Sequence, residues 1–217
     1  MNLTLPDPLT LILLTALLSL APFFAVMMTS YVKLVVVLSL VRSALGIQQI
    51  PPNLVINGLA IILSVFIMAP VATTAFDRLQ QEDLKQLDPQ TIQNVVAAVK
   101  EPIAGFLNRH TNEREKRFFI DATRKLWTPE AAATVREDSL LILVPAFTVT
   151  ELTSAFQIGF LLYLPFIAID LIVSNILLAM GMMMVSPMTI SLPFKLLLFV
   201  LVNGWTRLIH GIVLTYT

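Results

Sequence analysis

Leu54-Val55-Ile56-Asn57-Gly58-Leu59-Ala60-Ile61-Ile62-Leu63-Ser64-Val65-Phe66-Ile67-Met68-Ala69-Pro70-Val71-Ala72-Thr73-Thr74-Ala75-Phe76 is a run without a single charge, entered from Pro51-Pro52-Asn53 and left at Asp77-Arg78. At about 1.5 Å of rise per residue, a helix over this run is long enough to cross a hydrocarbon layer about 30 Å thick. The Pro51-Pro52 pair lacks two backbone donors and disfavours helix in the residue before it, so the run starts from a turn.

The composition extends that reading to most of the chain. Of 217 residues, 57% are hydrophobic and 13% charged, against about 45–50% and about 25% in soluble domains. The charges are also concentrated: 21 of 28 lie between Asp77 and Asp138. Everything else shares Asp7, Lys33, Arg42, Glu151, Asp170, Lys195 and Arg207. A soluble globule of this size cannot hide that much uncharged surface, which excludes an ordinary soluble enzyme. The formal net charge of +0 offers no basic face for nucleic acid. Without cysteine there is no disulfide, thiolate or cysteine-based metal site, and His110 and His210 lack metal-ligand spacing. No phosphate-cradling or nucleophile-elbow motif is present. Neither catalysis nor a cofactor is expected.

Three regions follow. Residues 1–76 carry two hydrophobic helices, at about Leu9–Met28 and Leu54–Phe76, with a short basic loop holding Lys33 and Arg42 between them. No basic residue precedes the first run, and it is longer than a signal-peptide core, so it reads as a retained helix. Residues 77–138 read as a polar helical insert of ten basic and eleven acidic residues. Asp88-Pro89 and Thr128-Pro129 place a cap before a proline suited to the first helical position, and Asn112 with Glu115 has capping-box spacing. Residues 139–217 turn apolar again. A long third helix is kinked at Pro165 and interrupted by Glu151 and Asp170; Ser186-Pro187 and Leu192-Pro193 bracket a turn; a last helix covers about Phe194–Leu214. The expected fold is all-α, with about four spanning-type helices and a small polar insert.

Lys33 and Arg42 in one short loop and Lys195 beside the other place both loops in the cytoplasm by the positive-inside rule. The insert and both termini then face outward, with Arg207 arguing weakly the other way.

Charges inside apolar segments are the sharpest chemical signal, since each costs about 2.5–3.5 kcal/mol at a bilayer centre on insertion scales. Two readings stand for Glu151, Asp170 and Lys195. In one they relay protons or bind substrate, as in a small proton-coupled transporter using Glu151 and Asp170. In the other Glu151 and Lys195 form a structural ion pair and Asp170 lies near a polar surface. Met182-Met183-Met184, after Gly181, is the second signal. On a helix, three consecutive residues point to three sides and serve as filler; in a loop they can project together as a deformable apolar constriction.

Several stretches together resemble the SctR family, the export-apparatus membrane protein of bacterial type III secretion systems, whose flagellar counterpart is FliP. They are Met28-Thr29-Ser30-Tyr31-Val32-Lys33, Ala44-Leu45-Gly46-Ile47-Gln48-Gln49-Ile50-Pro51-Pro52-Asn53, Tyr163-Leu164-Pro165-Phe166, Asp170-Leu171-Ile172-Val173-Ser174, Gly181-Met182-Met183-Met184-Val185-Ser186-Pro187 and Ile190-Ser191-Leu192-Pro193-Phe194-Lys195. The likeness covers nearly the whole chain and is weakest in the insert; its wording is closer to the virulence branch. Asn203 stands before Gly204-Trp205 where the family often has Asp.

The resemblance implies a pore-forming subunit of the inner membrane. Five copies are expected, assembled with SctS- and SctT-like subunits and working with SctU- and SctV-like components, in contact with lipid and passing unfolded polypeptides. It also implies that Met182, Met183 and Met184 form a gasket, that Glu151 and Lys195 form a pair linking parts of the assembly, and that the hydrophobic helices need not all cross the bilayer.

Overall fold

A computed structural model describes residues 8–47, 49–81 and 89–217. Asp88, expected to cap a helix, lies outside these residues. The described residues form helices α1 (Pro8–Met27), α2 (Tyr31–Ala44), α3 (Asn53–Gln80), α4 (Pro89–His110), α5 (Glu113–Leu126), α6 (Pro129–Ala133), α7 (Leu140–Ala179), α8 (Pro187–Leu201) and α9 (Gly204–Leu214). The all-helical expectation holds for them.

The spine is α7, a continuous helix of 40 residues and therefore about 60 Å long. The Ser139 side chain starts it by accepting from the Leu141 N–H at 3.4 Å. Pro145 and Pro165 both lie inside it, and neither ends it. Leu143, Phe147, Glu151, Ala155 and Gly159 recur every four residues and are all buried, so one stripe of α7 faces the interior. Helix α2 lies against that stripe in the same direction. Lys33 meets Glu151 near its start, and Leu40 meets Gly159 further along. The approach is close because Gly159 has no Cβ; one placed there would stand 2.3 Å from Leu40 Cδ1.

The remaining helices build two cores on this pair. Helix α3 returns antiparallel along α2: Ser30 Oγ and Ser64 Oγ are 3.3 Å apart at one end. At the other, Arg42 donates to Asn53 Oδ1 at 2.7 Å and to the Pro51 carbonyl at 3.2 Å. Leu34, Val37, Leu38, Val41, Ile56 and Ala60 form the first core with Phe166, Phe199, Leu208 and Ile212. Helix α4 is tied to α3 by an Arg78–Glu101 ion pair. It brings Phe106 and Leu107 onto Leu143 and Phe147 to make the second core.

Several expectations need correction. Residues 33–42 are not a loop but most of α2, with Lys33 buried; Leu34, Val37, Leu38 and Val41 recur at helical spacing and bury a face, and that overrides the reading of two lysine/arginine flanks as loop markers. The region 187–193 is not a turn. The turn is Met180–Ser186, Pro187 occupies the first turn of α8, and Pro193 lies inside that helix. Asp170, on α7, holds Ser191 and Lys195 on either side of the proline, so tertiary bonds carry α8 past the missing N–H. The last helix is two helices, α8 and α9, bent by 61°. Asn203 sits at the break with φ 52, a left-handed conformation that asparagine tolerates. Gly204 follows with the Phe199 ring over it; a Cβ there would be 2.3 Å from two ring carbons.

By length and composition, α3 and α7 are each able to cross a membrane, and α8 with α9 makes a third candidate as one broken span. The described residues thus give two or three candidate spans rather than the expected four; the first expected span, about Leu9–Met28, coincides with α1, which is not among those candidates. Two of the three expected caps of the insert, Asn112 and Thr128, are where they were expected. Thr128 accepts from the Ala131 N–H at 3.4 Å, and Asn112 Oδ1 accepts from the Arg114 N–H at 2.9 Å. The capping box is not completed by Glu115, because the Asn112 N–H donates to Thr150 Oγ1 on α7 at 3.1 Å. That bond fastens the insert to the spine.

Gly204→Ala should lower the thermal midpoint of the detergent-solubilised chain by the equivalent of about 1–3 kcal/mol, since the Phe199 ring must be displaced. Gly58→Ala and Gly211→Ala, where an added Cβ meets nothing within 4 Å, should leave the midpoint unchanged or raise it slightly. Equal effects at all three positions in a melting series would show that the ring contact does not constrain the bend.

Candidate functional site: a buried charge network and an exposed methionine loop

Two ion pairs stand on α7. Lys33 Nζ lies 2.8 Å from Glu151 Oε1, with side-chain exposures of 5% and 2%. The second Glu151 oxygen accepts a hydrogen bond from the Tyr216 hydroxyl. Lys33 also donates to Thr215 Oγ1 at 3.5 Å, and its ammonium sits 4.3 Å from the centre of the Tyr216 ring. Taking both charges out of water costs several kcal/mol each, offset only when geometry and extra hydrogen bonds are good. Here Thr215, Tyr216 and the ring face supply them. No described buried side-chain nitrogen or oxygen lacks a partner.

The second pair is Lys195 with Asp170, 2.6 Å apart. Lys195 also donates to the Ala44 carbonyl at 3.3 Å, at the end of α2. The Ser191 hydroxyl donates to the other Asp170 oxygen at 2.5 Å. Asp170 is 32% exposed, so water screens this pair more than the first. Glu151 and Lys195 therefore do not pair with each other within the chain. They sit at opposite ends of the packed region, about 28 Å apart along α7 by the rise from Glu151 to Asp170, and each has a nearer partner.

The aromatic surroundings of the first pair come from α4. Phe106 stacks on Tyr216 with centroids 6.1 Å apart, and His110 meets the Tyr216 ring at 5.2 Å, edge to face. Burial, then the Lys33 and Arg109 charges, hold the His110 imidazole below its ordinary value. Burial and the Glu151 carboxylate push the Tyr216 phenol above its own, which keeps it a hydrogen-bond donor. Sequence reasoning missed the roles of Lys33, Tyr216, Thr215 and Ser191. The four-residue spacing Phe147–Glu151–Ala155 was a usable signal that Glu151 faces inward; nothing local marks Tyr216, 65 residues away in the chain.

Met182, Met183 and Met184 lie in the turn between α7 and α8, after Gly181 at φ 73. Their exposures rise from 41% to 81% and 99%. They are not core filler. They cap the α7–α8 hairpin at the same end of the molecule as the Gly46–Asn53 turn, because α2 and α7 run in parallel and Lys195 bridges to Ala44. The insert occupies the opposite end. Among the described residues, no group of three or more His, Cys, Asp or Glu is placed to hold a metal ion.

Glu151→Gln or Lys33→Met alone should destabilise the chain by about 3–5 kcal/mol, because each leaves its partner buried and unpaired. The double variant Lys33→Met, Glu151→Leu should recover much of that loss in the same melting series. Asp170→Asn should have a smaller effect than Glu151→Gln. By NMR, His110 should titrate below 6.5; the stability it contributes is complete above that pH and declines as pH falls through 6.5 towards the folded value. Arg109→Gln should move the midpoint upward.

One family and three relatives bear on what this arrangement belongs to. The description "FliP family" matches residues 13–212. The Yop proteins translocation protein R of Yersinia pestis is 56% identical over 212 residues, covering 98% of each chain. The hypersensitivity response secretion protein HrcR of Ralstonia nicotianae is 50% identical over 95% of this chain and 96% of its own. The virulence protein YscR of Salmonella typhimurium is 48% identical over 99% of this chain and all of its own. The match runs through both ion pairs and the methionine loop, and at these identities and lengths it leaves one assignment: the chain belongs to the FliP family.

Proposed function

We propose that the protein is a non-catalytic subunit of a type III secretion export apparatus, in which several copies join SctS- and SctT-like membrane subunits to form the gate for unfolded polypeptides. Family membership and relatives named for translocation and secretion support the apparatus. The observation that carries the gate is the methionine loop, three adjacent and increasingly exposed side chains at the tip of a hairpin. Methionine is unbranched and polarizable, so a ring of such loops is an apolar collar that excludes ions when closed and deforms around any sequence when open.

The ion pairs support a structural rather than proton-carrying use of Glu151 and Asp170. Each carboxylate is already held by a lysine and a hydroxyl. In this reading a Glu151–Lys195 contact belongs between neighbouring copies, and it requires Glu151 to leave Lys33 and Lys195 to leave Asp170. We place the protein in the bacterial inner membrane with the insert on the periplasmic side and the Arg42 and Lys195 end towards the cytoplasm. Lys33 and Lys195, each buried in an ion pair, carry no weight in that orientation, which rests on Arg42.

Replacing Met182, Met183 and Met184 together by alanine should raise ion leakage through the assembled apparatus, with the chain still incorporated. Conductance or dye-uptake measurements in cells making the complete apparatus read this directly. Leakage at the wild-type level with normal assembly sinks the collar.

A further inference from the structure

Four cations lie in the chain outside the insert, and three are accounted for. Lys33 and Lys195 are ion-paired, and Arg42 is bonded to Pro51 and Asn53. Arg207 is different: it is exposed, and among the described residues no carboxylate lies within ion-pair distance of it. It stands on the rim of a groove of about 390 Å³, opened where α9 turns away from α8. Leu162, Pro165 and Phe166 of α7 form one wall, and Leu198 and Phe199 of α8 the other. Arg207 supplies the charge in an otherwise apolar lining. Gly204 shapes it, since a side chain there would displace Phe199.

Charge decides what fits. A second copy of this chain offers a hydrophobic surface whose described carboxylates, Glu151 and Asp170, are both occupied by lysines; the other described acids belong to the insert, at the opposite end of α7. The anion for Arg207 therefore comes from elsewhere, and it arrives attached to something that fills an apolar groove. A guanidinium binds phosphate oxygens in a two-pronged geometry, and basic pockets between membrane helices take acidic lipid headgroups. We propose that this groove holds an acyl chain of an anionic phospholipid, with the lipid phosphate on the Arg207 guanidinium. The site belongs to the single chain in lipid, with Asp170 still paired to Lys195, and does not depend on the export-gate reading.

The test is native mass spectrometry of the full chain in mild detergent, titrated with phosphatidylglycerol or phosphatidylcholine. Wild type should retain phosphatidylglycerol about fivefold better, the ratio that about 1 kcal/mol per basic residue gives. Arg207→Gln should abolish the preference while still binding both lipids weakly. Leu198→Trp, which fills the groove and leaves the charge, should reduce retention of both. Arg207 is exposed, so its variant should fold, and an unchanged melting midpoint checks this. A preference that survives Arg207→Gln overturns the proposal. So does competition by inorganic phosphate at equal concentration, which would mark a simple anion site. Wild type that retains no lipid but runs as a multi-copy species also overturns it, because a second copy then covers the groove.

Discussion

A lysine and a glutamate buried against each other, 118 positions apart in sequence, set the terms for the rest of this structure. Lys33 and Glu151 sit where the two hydrophobic cores meet: on α7, Phe147 on one side of Glu151 belongs to one core and Ala155 on the other side to the second. Either charge left unpaired there is costly, and within the chain each is the other's partner. Helix α2 must therefore lie against α7 at one register, and Gly159 must allow the close approach a few residues on. The C-terminal residues Thr215 and Tyr216 are drawn in to complete the hydrogen bonds. Through the Tyr216 ring, so are Phe106 and His110 of the insert.

That arrangement gives the molecule two unlike ends. At one, the insert is fastened by Asn112 to α7 and by its aromatic side chains to the buried pair. At the other, Asp170 binds Ser191 and Lys195, and Lys195 reaches the end of α2, so the α7–α8 and α2–α3 hairpins are locked together. Beyond that lock the end of α7 and the first turn of α8 extend as a hairpin tipped by the loop of methionines. A rigid body ending in soft, exposed, uncharged side chains is what the proposed collar requires, with a scaffold to set position and methionines to supply compliance.

Much of this was legible locally. The charge-free run before Asp77, the Ser139 start of α7, and the Asn112 and Thr128 caps all depend on residues within a few positions of one another. The misreadings share a cause. Lys33 and Arg42 looked like loop residues because charge was weighed above the Leu34, Val37, Leu38, Val41 pattern between them. Pro193 looked like a helix end because its missing N–H is local, whereas the Asp170 bonds that hold α8 together come from another helix. Glu151 and Lys195 looked able to pair within the chain because the sequence names the charges but not their distances.

By itself, then, the sequence determined that the chain is helical and lipid-compatible, that its charges are confined to one insert and a few interior positions, and that three methionines stand before a proline. Hydropathy, capping and turn chemistry act over one or two turns of helix, so one chain read linearly suffices for them. Only the tertiary structure decided which acid meets which base, that Tyr216 closes the network, and that Arg207 overlooks an apolar groove. Ion pairing falls off over a few ångströms of space while taking no account of separation along the chain, so those choices were made when α2, α7 and α9 came together.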